Sequence, residues 1–213
     1  MDLNLLKIIK PRVNSTEPVA YDFDEVLAAV RHIGQKLMPN DRPFLLPPDR
    51  FEFYTQLIYY FFNDNKFQGD LGKGLLIRGG KGTGKTMAMN IFRTIGFNGG
   101  IHMAKAFRNA HCDEVVHNYE MNGPKSLQQY FSDNWYFDDL GQESKHTVSF
   151  GTPRNVMKDI LTRRHRMFVE RGTMTFVTTN FNYDLIKNEY DTRVEDRFNE
   201  MFNDIILDGK SLR

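Results

Sequence analysis

The stretch Gly79-Gly80-Lys81-Gly82-Thr83-Gly84-Lys85-Thr86 leaves this chain few folds to choose from. It matches G-x-x-x-x-G-K-[ST] and stands between an apolar strand candidate, residues 75–78, and a helix candidate ending near Ile95. A strand, a glycine-rich turn and a helix in that order aim successive backbone N–H groups and the positive end of the helix at one anion. The same spacing offers Lys85 as a point charge for β- and γ-phosphate oxygens and Thr86 as a hydroxyl for Mg²⁺. The sequence therefore predicts nucleotide binding at Gly79, Gly80, Lys81, Gly82, Thr83, Gly84, Lys85 and Thr86. The competing reading, a glycine-rich surface loop, has no need of the flanking strand and helix.

The remainder of the chain fits the same plan. Short apolar runs (Leu75-Leu76-Ile77, Trp135-Tyr136-Phe137 and Thr175-Phe176-Val177) alternate with helix-length segments, which predicts an α/β fold with a parallel sheet covered by helices. A length of 213 residues accommodates one full domain plus a short appendage. Apolar and charged fractions of 40% and 26% exclude collagen-like, disordered and coiled-coil classes. With 28 Lys and Arg against 27 Asp and Glu, any attraction for nucleic acid must come from a local patch. One cysteine, Cys112, cannot close an internal disulfide, which fits a reducing interior. Residues 1–10 lack the pattern of an export signal, and the longest apolar run, residues 57–62, is far short of the roughly 20 needed to span a bilayer. A cytoplasmic protein without a membrane partner is expected.

Pro11, Pro18, Pro39, Pro43, Pro47 and Pro48 are six of the chain's eight prolines. Their density predicts a short N-terminal helical segment and irregular linker over residues 1–48, followed by the main domain over 49–213. Within that segment Phe23, Val26, Leu27, Val30, Ile33 and Leu37 recur at helical spacing behind Asp22, a candidate N-cap. Such a helix serves either packing or the docking of a partner. A second apolar helix pattern runs over residues 49–65 through Phe53, Leu57, Tyr60 and Phe61.

Downstream, Trp135-Tyr136-Phe137-Asp138-Asp139-Leu140-Gly141 ends an apolar strand in two acids. Beside a phosphate loop, Asp138 is placed to hold Mg²⁺, directly or through water, and Asp139 to orient an attacking water. A third strand candidate, residues 173–179, ends in Asn180. At the C-terminal edge of a parallel strand that side chain either positions water near the γ-phosphate or simply begins a turn.

With these residues in place the chain resembles the AAA+ ATPases, specifically the DnaC/DnaI-type replicative helicase loaders and the related transposition ATPase IstB. The resemblance covers roughly residues 50–211. It rests on Gly72-Lys73-Gly74-Leu75-Leu76-Ile77 and the helix before it, the loop 79–86, Asp138-Asp139-Leu140-Gly141-Gln142-Glu143, Thr178-Thr179-Asn180, and Thr192-Arg193-Val194-Glu195-Asp196-Arg197 with Met201 and Gly209. It implies a P-loop NTPase of AAA+ type without a C-terminal lid domain. ATP and Mg²⁺ would be its cofactors, Asn180 its sensor 1, and Arg197 the arginine finger for a neighbouring subunit, with Arg193 the alternative. The catalytic set is then Asp139, Asn180 and Arg197, and the metal set Thr86 and Asp138. The implied function is ATP binding and hydrolysis by an oligomer that loads or remodels a replicative helicase on single-stranded DNA. Loaders of this kind usually carry a larger N-terminal helicase-binding domain, so the helicase contact is expected to be abbreviated or differently made.

Other readings stay open on the sequence: an IstB-like transposition ATPase, a superfamily 3-like DNA helicase, and, least favoured, a small-molecule kinase. Arg154, Lys158, Arg163, Arg164, Arg166 and Arg171 against Asp159 and Glu170 form a basic segment able to track a DNA backbone, or else the solvated face of a buried helix. Lys105-Ala106-Phe107-Arg108-Asn109 is a candidate second contact. His111, Cys112 and His117 lie close together but do not make a four-ligand zinc set, and most of the tyrosines and phenylalanines are expected in the core.

Overall fold

In the computed structural model, residues 18–98, 101–144, 147–149, 152–190 and 192–209 are described, with backbone alone at 98, 147–149, 152–153 and 192–195. Five strands form one parallel sheet: β1 (Gly74–Arg78), β2 (Arg108–His111), β3 (Trp135–Leu140), β6 (Thr175–Thr179) and β7 (Phe202–Ile206), in the order β2-β3-β6-β1-β7. A separate antiparallel ribbon pairs β4 (Thr147–Ser149) with β5 (Thr152–Arg154). The helices are α1 (Phe23–Leu37), α2 (Pro48–Phe61), α3 (Lys85–Asn98), α4 (Cys112–Asn122), α5 (Val156–Arg171), α6 (Tyr183–Tyr190) and α7 (Thr192–Met201). The α/β parallel-sheet expectation holds.

Local chemistry explains the boundaries. The Asp22 carboxylate accepts from the Glu25 amide at 3.0 Å, so α1 starts where the sequence placed its cap. Asn155 caps α5 in the same way, and Gly172, in left-handed conformation, ends it. The central strands β1 and β6 are buried almost throughout, as parallel strands covered on both faces must be.

Two cores flank the sheet. One gathers Leu57, Ile58, Tyr60, Phe61 and Phe62 with Ile77, Phe92 and Phe176; the other joins Leu76, Phe137 and Val177 to Val115, Ile160 and Phe198. The aromatic residues are mostly core, as expected. Residues 18–48 include α1, which packs on α2 and α3. Val26 and Val30 of α1 are fully buried in the first core, against α2 and α3, because the apolar stripe of α1 finds its cover there.

The parallel order has one decisive consequence. Because β6 lies between β1 and β3, the C-terminal ends of these three strands place the turn after β1, the acids ending β3 and Asn180 after β6 along one sheet edge. Ligands of open parallel sheets bind at that edge.

Candidate nucleotide site

The loop between β1 and α3 is held by its own residues. Gly79 has φ 153°, and a Cβ there would lie 2.2 Å from the Leu207 carbonyl, so only glycine lets β1 continue into the loop beside the end of β7. The Thr83 hydroxyl donates to the Gly80 carbonyl at 2.9 Å. Lys85 Nζ donates to the carbonyls of Gly79 (2.8 Å) and Gly80 (2.9 Å) and to Asn180 Oδ1 (2.9 Å). These three acceptors hold the ammonium at the seam between the loop and β6. The first-turn amides of α3, opening at Lys85, add the positive end of a helix.

The acids stand on a bulge. Phe137 pairs with Val177 but Leu140 with Thr179, so β3 carries one extra residue here, and Asp139 takes a positive φ of 56°. A non-glycine residue in the left-handed region is uncommon, and such strain is concentrated at functional sites. Asp138 is almost fully buried, and Thr86 Oγ1 donates to its Oδ1 at 2.9 Å. Tyr136 and Thr178 also donate hydroxyls to Oδ1, and Oδ2 lies 3.4 Å from His111 Nδ1 on the neighbouring strand. Burial, and next the Asp138 charge, push the Tyr136 phenol well above its usual pKa, so it stays a donor. A buried carboxylate against a hydroxyl at a helix N-terminus is an all-oxygen set suited to Mg²⁺.

Beyond the acids the chain turns at Gly141, φ 96°, where a Cβ would strike the Phe181 ring. Glu143, buried, accepts from the Gly141 amide at 2.7 Å and from the Tyr190 hydroxyl, tying this turn to α6.

A cleft of about 690 Å³ opens over the loop. Lys81, Gly82, Thr83, Gly84, Lys85, Thr86, Asp139, Gln142 and Asn180 form its polar end, while Met38, Pro43, Phe44, Leu45, Phe53 and Tyr54 form an apolar one. A polar end and an apolar end in one cleft suit a ligand with a phosphate chain and a flat ring. The apolar wall comes from the proline-rich linker, which the sequence assigned no part in the site, together with Phe53 and Tyr54 of α2. Arg50 of α2 also lines the cleft, buried and donating to the Asp208 carbonyl at 3.1 Å. An arginine near the start of an amphipathic helix gave no signal of this.

Other expected contacts fall elsewhere. Arg197 does not line the cleft and donates to Thr162 Oγ1 on α5 at 3.0 Å; the Arg193 side chain lies outside the described residues. The basic segment must be corrected. Arg164 is fully buried and donates to Thr175 Oγ1 and to the carbonyls of Tyr130, Asp133 and Met174, and desolvation lowers its pKa to about 9. It braces the domain and cannot face DNA, whereas Arg154, Arg163, Arg166 and Arg171 are exposed. Lys105 and Phe107 are likewise buried, and Arg108 and Asn109 belong to β2, so that segment is core and sheet rather than a contact loop. Cys112 is buried, its thiol pushed up by desolvation and then by Glu143, Asp138 and Asp139.

Sheet order, loop and acids together define an α/β fold of the P-loop type. Its likeness to solved structures says the same. A putative primosome component from Streptococcus pyogenes serotype M3 superposes with a TM-score of 0.54 at 16% identity, covering 87% of this chain and 98% of that one. DnaI gives 0.55 at 19% identity, covering 92% and 96%. A replication initiator DnaA bound to AMPPCP and single-stranded DNA gives 0.53 at 12% identity, over 78% of this chain and 49% of that one. At such identities the likeness establishes the fold alone. No family model matches the sequence, and no curated protein matches it. Among the described residues, no helix is long and apolar enough to cross a membrane.

Proposed function

We propose that this chain binds ATP with Mg²⁺ and hydrolyses it, and that it uses the cycle to load or remodel a replicative helicase on single-stranded DNA. The observation that carries the reading is the pairing of the adjacent Lys85 and Thr86, at the start of α3, with Asn180 after β6 and Asp138 of β3, one hydrogen bond each. Loop amides and Lys85 take the phosphates, and the apolar wall of the linker takes the base. Thr86 and Asp138 hold Mg²⁺, which when bound neutralises charge on the β- and γ-oxygens. Asp139, beside the cleft, orients the attacking water, and Asn180 fixes the ammonium and the γ-phosphate side of the site. Arg197 supplies the finger to a neighbouring copy in an ATP-bound oligomer, which is consistent with its standing away from its own cleft.

The replication role draws support from the likeness, over 92% and 87% of this chain, to DnaI and to the structure described as a putative primosome component. Calorimetric titration with ATP and Mg²⁺ tests the nucleotide part: the native chain binds and Lys85→Ala does not, with its melting curve kept. Equal affinity in the two proteins would remove the P-loop from the mechanism. Capture from the source cell tests the rest, with retention of a hexameric helicase expected and of a transposase alone counting against the loader reading.

A further inference from the structure

Three hydroxyls surround one oxygen of Asp138, and only one of them belongs to the phosphate loop. The other two come from Tyr136 on β3 and Thr178 on β6. Both residues are fully buried in the sheet, where phenylalanine and valine would fill nearly the same space. Packing explains the ring of Tyr136 and the methyl of Thr178 but not their oxygens. A hydroxyl buried without a partner is unfavourable, and both of these find theirs in Asp138, with the two hydroxyl oxygens 3.1 Å apart.

Thr178 does more than face one acid. Its Oγ1 accepts the amide of Asp139 at 3.1 Å while its hydrogen goes to Asp138. The bulge that turns Asp139 toward the cleft takes that amide out of the β3–β6 ladder, and the threonine oxygen receives it in place of a strand carbonyl. One side-chain oxygen thus ties the carboxylate of the first acid to the backbone of the second. Tyr136 holds the first acid from its own strand, two residues earlier and on the same face.

We infer that Tyr136 and Thr178 are positioning residues: their hydroxyls fix the Asp138 carboxylate for the metal, and Thr178 also fixes the bulge that aims Asp139. This rests on the nucleotide-binding reading above. Neither residue touches phosphate. They act as outer partners of a metal-holding carboxylate, a position where loss of one hydrogen bond typically weakens metal affinity by about 10- to 100-fold.

The test separates metal from nucleotide. Binding of a fluorescent ATP analogue is followed as Mg²⁺ is raised from an EDTA baseline, in the native chain, Tyr136→Phe, Thr178→Val and Thr178→Ser. Tyr136→Phe and Thr178→Val are expected to raise the half-saturating Mg²⁺ concentration about tenfold and to leave metal-free affinity where it was. Thr178→Ser, which keeps the oxygen, returns the native Mg²⁺ response. A half-point within twofold of native in both Tyr136→Phe and Thr178→Val overturns the inference. So does a metal-free affinity that falls in step with the metal-bound one, the mark of a merely structural role. Should Thr178→Val melt below the assay temperature, Tyr136→Phe decides alone. Failure of the underlying reading looks different: the native chain itself would bind no nucleotide.

Discussion

Lys85 and Asn180, 95 residues apart in sequence, are joined by a hydrogen bond of 2.9 Å from Nζ to Oδ1. It links the first turn of α3 to the end of β6, and Lys85 also caps the Gly79 and Gly80 carbonyls. A phosphate oxygen therefore competes with three neutral acceptors for one ammonium. A phosphate oxygen wins such a competition because it adds the attraction of opposite charges to the hydrogen bond.

The two adjacent acids are expected to fail differently. Asp138→Asn keeps the side chain's shape and removes its charge, so Mg²⁺-dependent ATP affinity falls. Asp139→Asn, at the edge of the cleft, leaves affinity near native and stops turnover, so that bound ATP persists. Calorimetry paired with a quench assay of bound nucleotide reads both, and identical behaviour of the two variants would contradict the division of labour.

For Arg197, mixing is decisive. Arg197→Ala alone keeps ATP binding and loses hydrolysis by a factor on the order of 10³. Lys85→Ala alone does not bind. Co-assembled, the two recover part of the activity, because some interfaces then pair an intact loop with an intact arginine. If co-assembled mixtures stay inactive at every ratio, Arg197 serves its own chain through Thr162.

Arg164 and Arg166 should separate stability from surface charge. Arg164→Ala strips hydrogen bonds from Thr175 Oγ1, the buried carbonyls of Tyr130 and Met174 and the part-buried one of Asp133, a loss of at least about 3 kcal/mol, or roughly 6–12 °C in Tm. Arg166→Ala, exposed, should stay within about 0.5 kcal/mol. If the exposed face of α5 binds DNA, neutralising Arg163, Arg166 and Arg171 flattens the slope of log affinity against log salt; an unchanged slope returns them to solvent.

Lys105 gives a pH signature. Its ammonium is buried, donates to the Tyr60 carbonyl and Asn63 Oδ1, and desolvation lowers its pKa to about 8, below the unfolded value. Between those two values the unfolded chain binds the extra proton, so this residue's contribution to stability rises with pH above about 8. Below that point its penalty is complete and constant. The native chain should gain on Lys105→Met between pH 8 and 10 in denaturant titrations, and a pH-independent gap between them would show that Lys105 titrates normally.

Much of this was written locally in the sequence. Asp22 caps α1 through a partner three residues away, and the order strand, glycine loop, helix is itself a local pattern. What stayed hidden depends on distant partners. Arg164 reads as one charge among six until β6 and the Tyr130–Asp133 segment close around it. Arg108-Asn109-Ala110-His111 has no apolar run to mark it as a strand, because β2 is an edge strand with a half-buried face. The linker reads as a spacer because proline density reports backbone stiffness and says nothing of what Phe44 or Leu45 will line.

The position of β1 also governs when the domain can be completed. Its two neighbours, β6 and β7, lie about a hundred or more residues downstream, so during synthesis Gly74–Arg78 leaves the ribosome with both edges bare. Loop closures of that length precede either strand pairing, which slows folding and exposes the strand's edges to misassembly. The phosphate loop, written early in the message, is therefore among the last parts of the protein to take shape.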